Sequence, residues 1–100
     1  MSAVRLDLNV PTFQRDLFAL EKAERHAVLN TLARLHRLDW ETLYRAPGLN
    51  WEKVHAQAGP GGETLYTLRV SQKSRLLCTR TGDTLHCISI HPDHDSAYGR

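Results

Sequence analysis

Cysteine is scarce in this chain, with only Cys78 and Cys87 in 100 residues. Two thiols are too few for a disulfide scaffold, so a hydrophobic core must hold the fold. Long apolar runs are also missing: none approaches the roughly 18 residues that cross a bilayer. No charged-then-apolar leader opens the sequence. These absences lead us to expect no membrane association, a cytoplasmic location and reduced thiols that act as small apolar strand residues. Repeats, low-complexity tracts and linkers are absent, and residues 1–100 are expected to form a single domain. An excess of one charge is lacking as well, since 13 Lys and Arg face 11 Asp and Glu for a net +2. A balance that mild carries no nucleic-acid signal by itself, because the relevant footprint is local clustering.

Such a cluster is present. Arg69, Lys73, Arg75 and Arg80 fall between Thr64 and Gly82, and no acid lies among them. The acids Glu21, Glu24, Asp39, Glu41 and Glu52 offset the bases elsewhere. The plainer reading is a solvated basic edge that discourages strand-to-strand aggregation. The functional one is an anion-binding face.

Hydropathy periodicity gives the element order. Val4 to Val10 alternates as a strand, and Pro11-Thr12 ends it and can open a helix. Phe13, Leu17 and Leu20 recur at helical spacing. A second helix is expected from Glu21 to about Leu38, with a stripe of Val28, Leu32 and Leu35. A short helix follows from Asp39 to before Pro47-Gly48. Strands are expected at Leu49 to His55, Glu63 to Ser71, Arg75 to Arg80 and Thr84 to His91, with Ala58 to Gly62 as a loop. This order predicts an α+β fold: a mostly antiparallel sheet of four or five strands, with an N-terminal helical hairpin packed on one face.

Strand parity then sorts the side chains. Tyr66, Leu68 and Val70 share one face, and Leu65, Thr67 and Arg69 the other. In the last strand Ile88 and Ile90 are expected on the helix-packed face, with Cys87, Ser89 and His91 opposite. Arg69 and His91 thus fall on the helix-free face. The place of Arg75 depends on one turn. A two-residue Gly82-Asp83 turn pairs Thr81 with Thr84, sets Cys78 opposite Cys87 and aims Arg75 at the helices. A three-residue Thr81-Gly82-Asp83 loop leaves the cysteines on opposite faces and puts Arg75 on the same face as Arg69 and His91. The second register is favoured, because it avoids burying a charge with no acid to pair it.

Arginine, histidine and tyrosine on one face can manage a phosphodiester. RNA is cleaved by its own 2′-hydroxyl when a base, an acid and positive charge are supplied. The tail adds His94, Asp95 and Tyr98, which can approach Arg69, Arg75 and His91 if the chain folds back after Pro92. The competing reading is a metal cluster of His91, His94 and Asp95, with His86 nearby. Pro92 separates the first two histidines and no H-E-x-x-H spacing is present, so no metal and no other cofactor is expected.

Leu65 to Val70 (LYTLRV), Ser74 to Leu77 (SRLL) and the ending His91 to Tyr98 (HPDHDSAY) resemble the RelE/ParE toxin superfamily, in its RelE-like mRNA interferase branch. Phe13 to Leu38 is similar to that family's helical hairpin, and Leu49 to Val54 to its glutamate-lysine strand. The resemblance implies the toxin of a type II toxin–antitoxin pair, with a cognate antitoxin over its basic face. It implies metal-independent cleavage of mRNA, on the ribosome in many members, and so inhibition of translation. Arg69 and Arg75 would then bind the scissile phosphate. His91, His94 and Tyr98 would serve as acid and base, with Asp95 orienting the arginines. Lys53, Lys73 and Arg80 would contact RNA. The ParE branch shares the fold but poisons DNA gyrase, and a non-catalytic binding module is a third alternative.

Overall fold

The structure, a computed structural model, describes residues 2–92. Strand β1 (Arg5–Asp7) leads into helices α1 (Pro11–Ala19), α2 (Lys22–Leu35) and α3 (Trp40–Arg45). Strands β2 (Glu52–Ala58), β3 (Thr64–Arg69), β4 (Ser74–Thr81) and β5 (Thr84–Pro92) follow. They form a five-stranded sheet in the order β1-β5-β4-β3-β2. β2 to β5 pair antiparallel, but β1 runs parallel to β5, so the sheet is mixed.

Local chemistry sets the ends of these elements. β1 stops early because the Asp7 carboxylate accepts a hydrogen bond from the Asn9 amide at 2.9 Å, turning the chain. Proline suits the first position of α1, where its missing N–H costs nothing. α2 ends three residues earlier than its pattern suggests. Arg37 and Leu38 bond back to Arg34 and Leu35 in a tightened last turn. Asp39 caps α3 by accepting from the Thr42 amide at 2.8 Å. β2 starts at Glu52 rather than Leu49 because Asn50 is left-handed, with φ 49°.

The main core lies between the helices and one face of the sheet. Phe13, Val28, Leu32 and Leu35 meet Leu68, Val70, Leu76 and Leu85 there. A smaller cluster of Val54, Leu65 and Leu77, with Ile88 against it, lies apart from that core. α1 also seals the β5 edge where short β1 gives out. Thr12 Oγ1 donates to the Ile88 carbonyl at 2.6 Å, and the Ile90 amide donates to Asp16 Oδ2 at 3.0 Å. Backbone groups that would lack a strand partner are thus satisfied by side chains.

The β4–β5 hairpin corrects the favoured register. Thr81 pairs with Thr84, so the turn is the two-residue Gly82-Asp83, and Cys78 lies opposite Cys87. Gly82 sits at φ 58°, as a glycine-first hairpin turn requires. Yet Arg75 still pairs with His91, because the register slips by one residue between Leu77 and Cys78. Leu77 pairs with Ser89 and Cys78 with Cys87, leaving Ile88 as the extra residue of a β-bulge. The bulge reverses two other expectations. Cys87 joins the helix-side core, and Ile88 packs with the smaller cluster.

A candidate phosphate-binding row on the helix-free face

Register and bulge together align three side chains. Arg69 pairs with Arg75, and Arg75 with His91, across β3, β4 and β5. Directly paired residues on one face hold their Cβ atoms about 5 Å apart. Two adjacent guanidiniums repel each other, and a carboxylate offsets that repulsion. Arg75 Nη2 donates to Glu52 Oε1, the Asn50 carbonyl and Thr67 Oγ1, each at 2.9 Å. Arg75 is 5% exposed, whereas the Glu52 side chain is 55% exposed. The guanidinium is therefore a fixed buried charge, and the carboxylate it holds stands in solvent. Arg69 is half-buried and its Nη1 donates to the Gln72 carbonyl at 3.4 Å. His91 Nε2 shares a hydrogen bond with Ser89 Oγ at 2.8 Å, which fixes the ring against its strand.

The other expected site residues are spread more widely. Lys53 is exposed and pairs with Tyr66, whose ring packs on the helix-side core, so it lies on the opposite side of the sheet. Arg80 is also on the helix side. Its guanidinium sits 4.0 Å from the centre of the Trp40 ring and bonds the Tyr44 hydroxyl and the Gly82 carbonyl. Lys73 is exposed in the β3–β4 turn, and its amide donates to Ser71 Oγ at 3.1 Å. His94, Asp95 and Tyr98 lie outside the described residues. Of the expected set, the described structure brings together Arg69, Arg75 and His91.

Three residues of the site escaped the sequence reading. Glu52 and Thr67 hold Arg75, and Ser89 holds His91. Parity did place Thr67 and Ser89 on this face, but nothing in the pattern of Glu52 names Arg75 as its partner. His86, weighed as a metal ligand, is tied elsewhere: its Nδ1 lies 2.8 Å from Asp7 Oδ2 across the parallel β1–β5 pair. That hydrogen bond, then one from the Asn9 amide, lowers the Asp7 carboxyl below its ordinary value. Among the described residues, no group of three or more His, Cys, Asp and Glu is placed to hold a metal ion.

Two further polar features flank the row. Glu24 on α2 accepts hydrogen bonds from Ser71 and Ser74, both at Oε2, clasping the helix to the β3–β4 turn. Burial pushes the Glu24 carboxyl up, but the two hydroxyls and the Lys73 charge outweigh it and the net shift is downward. Behind the row, both cysteines are free and buried. Burial, with Cys87 adjoining, drives the Cys78 thiol well above its usual range. Burial and the Asp7 charge push Cys87 up to about 12. Neither is a competent thiolate at neutral pH.

No protein family and no curated protein matches the sequence. Among solved structures, the chain is similar to the conserved hypothetical protein HP0894 from Helicobacter pylori. The TM-score is 0.54 at 18% identity, over 93% of this chain and 96% of that one. That likeness places the chain in the same α+β fold. A copper-bound mutant toxin from Helicobacter pylori aligns over the same shares of both chains, also at 18% identity, with a TM-score of 0.43. No helix among the described residues is long and apolar enough to cross a membrane.

Proposed function

We propose that this chain is an RNA-cleaving toxin, held in check by a cognate antitoxin, that cuts mRNA by 2′-hydroxyl attack and so blocks translation. One observation carries the reading: Arg69, Arg75 and His91 stand in one cross-strand row, with the Glu52 carboxylate fixed beside them. In the reaction the 2′-oxygen bonds to phosphorus and the bond from phosphorus to the 5′-oxygen breaks. A 2′,3′-cyclic phosphate and a 5′-hydroxyl result. Glu52 is an exposed carboxylate suited to take the 2′-proton, and the His91 imidazole to return one to the leaving 5′-oxygen. Arg69 binds the pentavalent phosphate, and Arg75, buried behind it, fixes Glu52 in place. His94 and Tyr98 are further acid–base candidates, with Asp95 orienting and Lys53, Lys73 and Arg80 as outer RNA contacts. The mRNA is engaged in the cytoplasm, on the ribosome.

The test is inducible expression with mapping of mRNA 5′ ends. New ends inside translated codons, abolished by Arg69→Ala in a folded protein, are expected. Intact mRNA with a DNA-damage response would replace this reading with gyrase poisoning.

A further inference from the structure

An open groove of about 410 Å³ lies where the α1–α2 turn meets the ends of β4 and β5. That volume is within the range of small-ligand sites, roughly 300–1,000 Å³. Its walls include the apolar side chains of Leu20, Ile90 and Pro92, and Glu24, Lys73 and His91 also line it. Glu24 is held rigidly, since Ser71 and Ser74 both bond its Oε2 and so leave Oε1 as an acceptor for a ligand. The groove also adjoins the arginine–histidine row. Ser74 faces α2 and the Arg75–His91 pair one step along faces the other side of the sheet, so groove and row meet around the strand ends, where His91 belongs to the row and also lines the groove.

We infer that this groove is a nucleobase subsite, taking the base of the nucleotide next to the scissile phosphate. Apolar walls suit the flat faces of a base unstacked from single-stranded RNA. Glu24 Oε1 accepts from a base N–H, and the Lys73 ammonium donates to a neighbouring ring nitrogen or carbonyl. The subsite rests on the proposed RNA cleavage and adds what that reading leaves open, a place where the sequence around the cut is read.

Nuclear magnetic resonance on the ¹⁵N-labelled full chain tests it. The probes are AMP, CMP, GMP and UMP, with ribose 5-phosphate as the probe lacking a base. The nucleotides should shift the amides of Lys73, Ser74, Ile90 and His91 saturably. Ribose 5-phosphate should bind about tenfold more weakly, the share expected of the base contact. Glu24→Gln keeps an oxygen for the two serines but turns the other acceptor into a donor. It should change the ranking of the four bases by about threefold or more, the worth of one hydrogen bond. Ala19 lines the groove and is exposed, so Ala19→Trp fills it without touching the core. That variant should melt normally and bind about tenfold more weakly.

Nucleotides that leave these amides unmoved, or shift them no more than ribose 5-phosphate does, would overturn the subsite. Because the full chain is used, occupation of the groove by residues 93–100 would count against it too. The two readings fail separately. Base-dependent binding without mRNA cleavage removes the nuclease and keeps the subsite. Cleavage that needs Arg69, with a silent groove, removes only the subsite.

Discussion

Arg75 is the residue on which the polar face turns. A buried guanidinium is costly unless its donors are used, and three acceptors 2.9 Å from Nη2 offset part of that cost, although the buried Nε has no hydrogen-bond partner among the described residues. Glu52 pairs with Arg75, and the proposed function gives it a second, separable role, taking a proton from substrate. Glu52→Gln keeps an oxygen for Arg75 and removes the basic carboxylate. Unfolding in urea should show a change within about 1 kcal/mol, because the side chain is largely in solvent. RNA cleavage should fall about a hundredfold or more, the typical worth of a positioned base. A variant that lost stability and kept activity would make Glu52 purely structural. Asp7 gives a prediction of a different kind. Its carboxyl titrates lower when folded, chiefly through His86, so the unfolded chain binds more protons as pH falls. The contribution is whole above the unfolded value of about 3.9 and fades as pH falls through the lowered folded value. Urea titrations should therefore find Asp7→Asn destabilised at pH 7, with the gap to the parent narrowing as the pH falls below the unfolded value of about 3.9.

At the scale of elements, the hairpin of β4 and β5 decides where these residues point. Parity alone reads Arg69 onto the helix-free face, and the register agrees. It misplaces Cys87 and Ile88, because a period of two has no way to register one extra residue. For Arg75 the expected face is right although the expected turn is wrong: the bulge at Ile88 supplies the residue that the two-residue turn lacks. Nothing local in Cys87-Ile88-Ser89 announces a bulge. It sits where α1 takes over from β1 along the β5 edge, a tertiary cause. Deleting Ile88 should leave a regular ladder with Arg75 still opposite His91, but the lost Ile88 packing and the lost bond from Thr12 should cost more than about 10 °C in melting temperature, well beyond a 1 kcal/mol change. A melt within a few degrees of the parent would show that the bulge is dispensable. The same hairpin buries Cys78 against Cys87. Both thiols should resist a disulfide reagent in the native protein and react fully in urea. Prompt native reaction would place one of them at the surface.

At the scale of the molecule, the three helices and main core of the described residues lie on one side of the sheet, and the Arg69–Arg75–His91 row lies on the other beside the smaller apolar cluster. The α+β class was legible because helical and alternating runs are well separated in the chain. The parallel β1–β5 pair was not, since alternation reveals a strand but neither its partner nor its direction. The pairing of Glu52 with Arg75 was hidden for a similar reason: 23 residues separate them, and only the sheet order brings β2 beside β3 and β4. The proposed function depends on that closure, because an arginine pair without a carboxylate would bind phosphate yet lack a base. The most direct measurement is therefore made in cells. Induced parent protein should create new mRNA 5′ ends within translated codons, while folded Arg69→Ala and His91→Ala variants should leave mRNA intact and growth uninhibited. Cleavage that persists in both variants, or growth arrest with intact mRNA, would contradict the account.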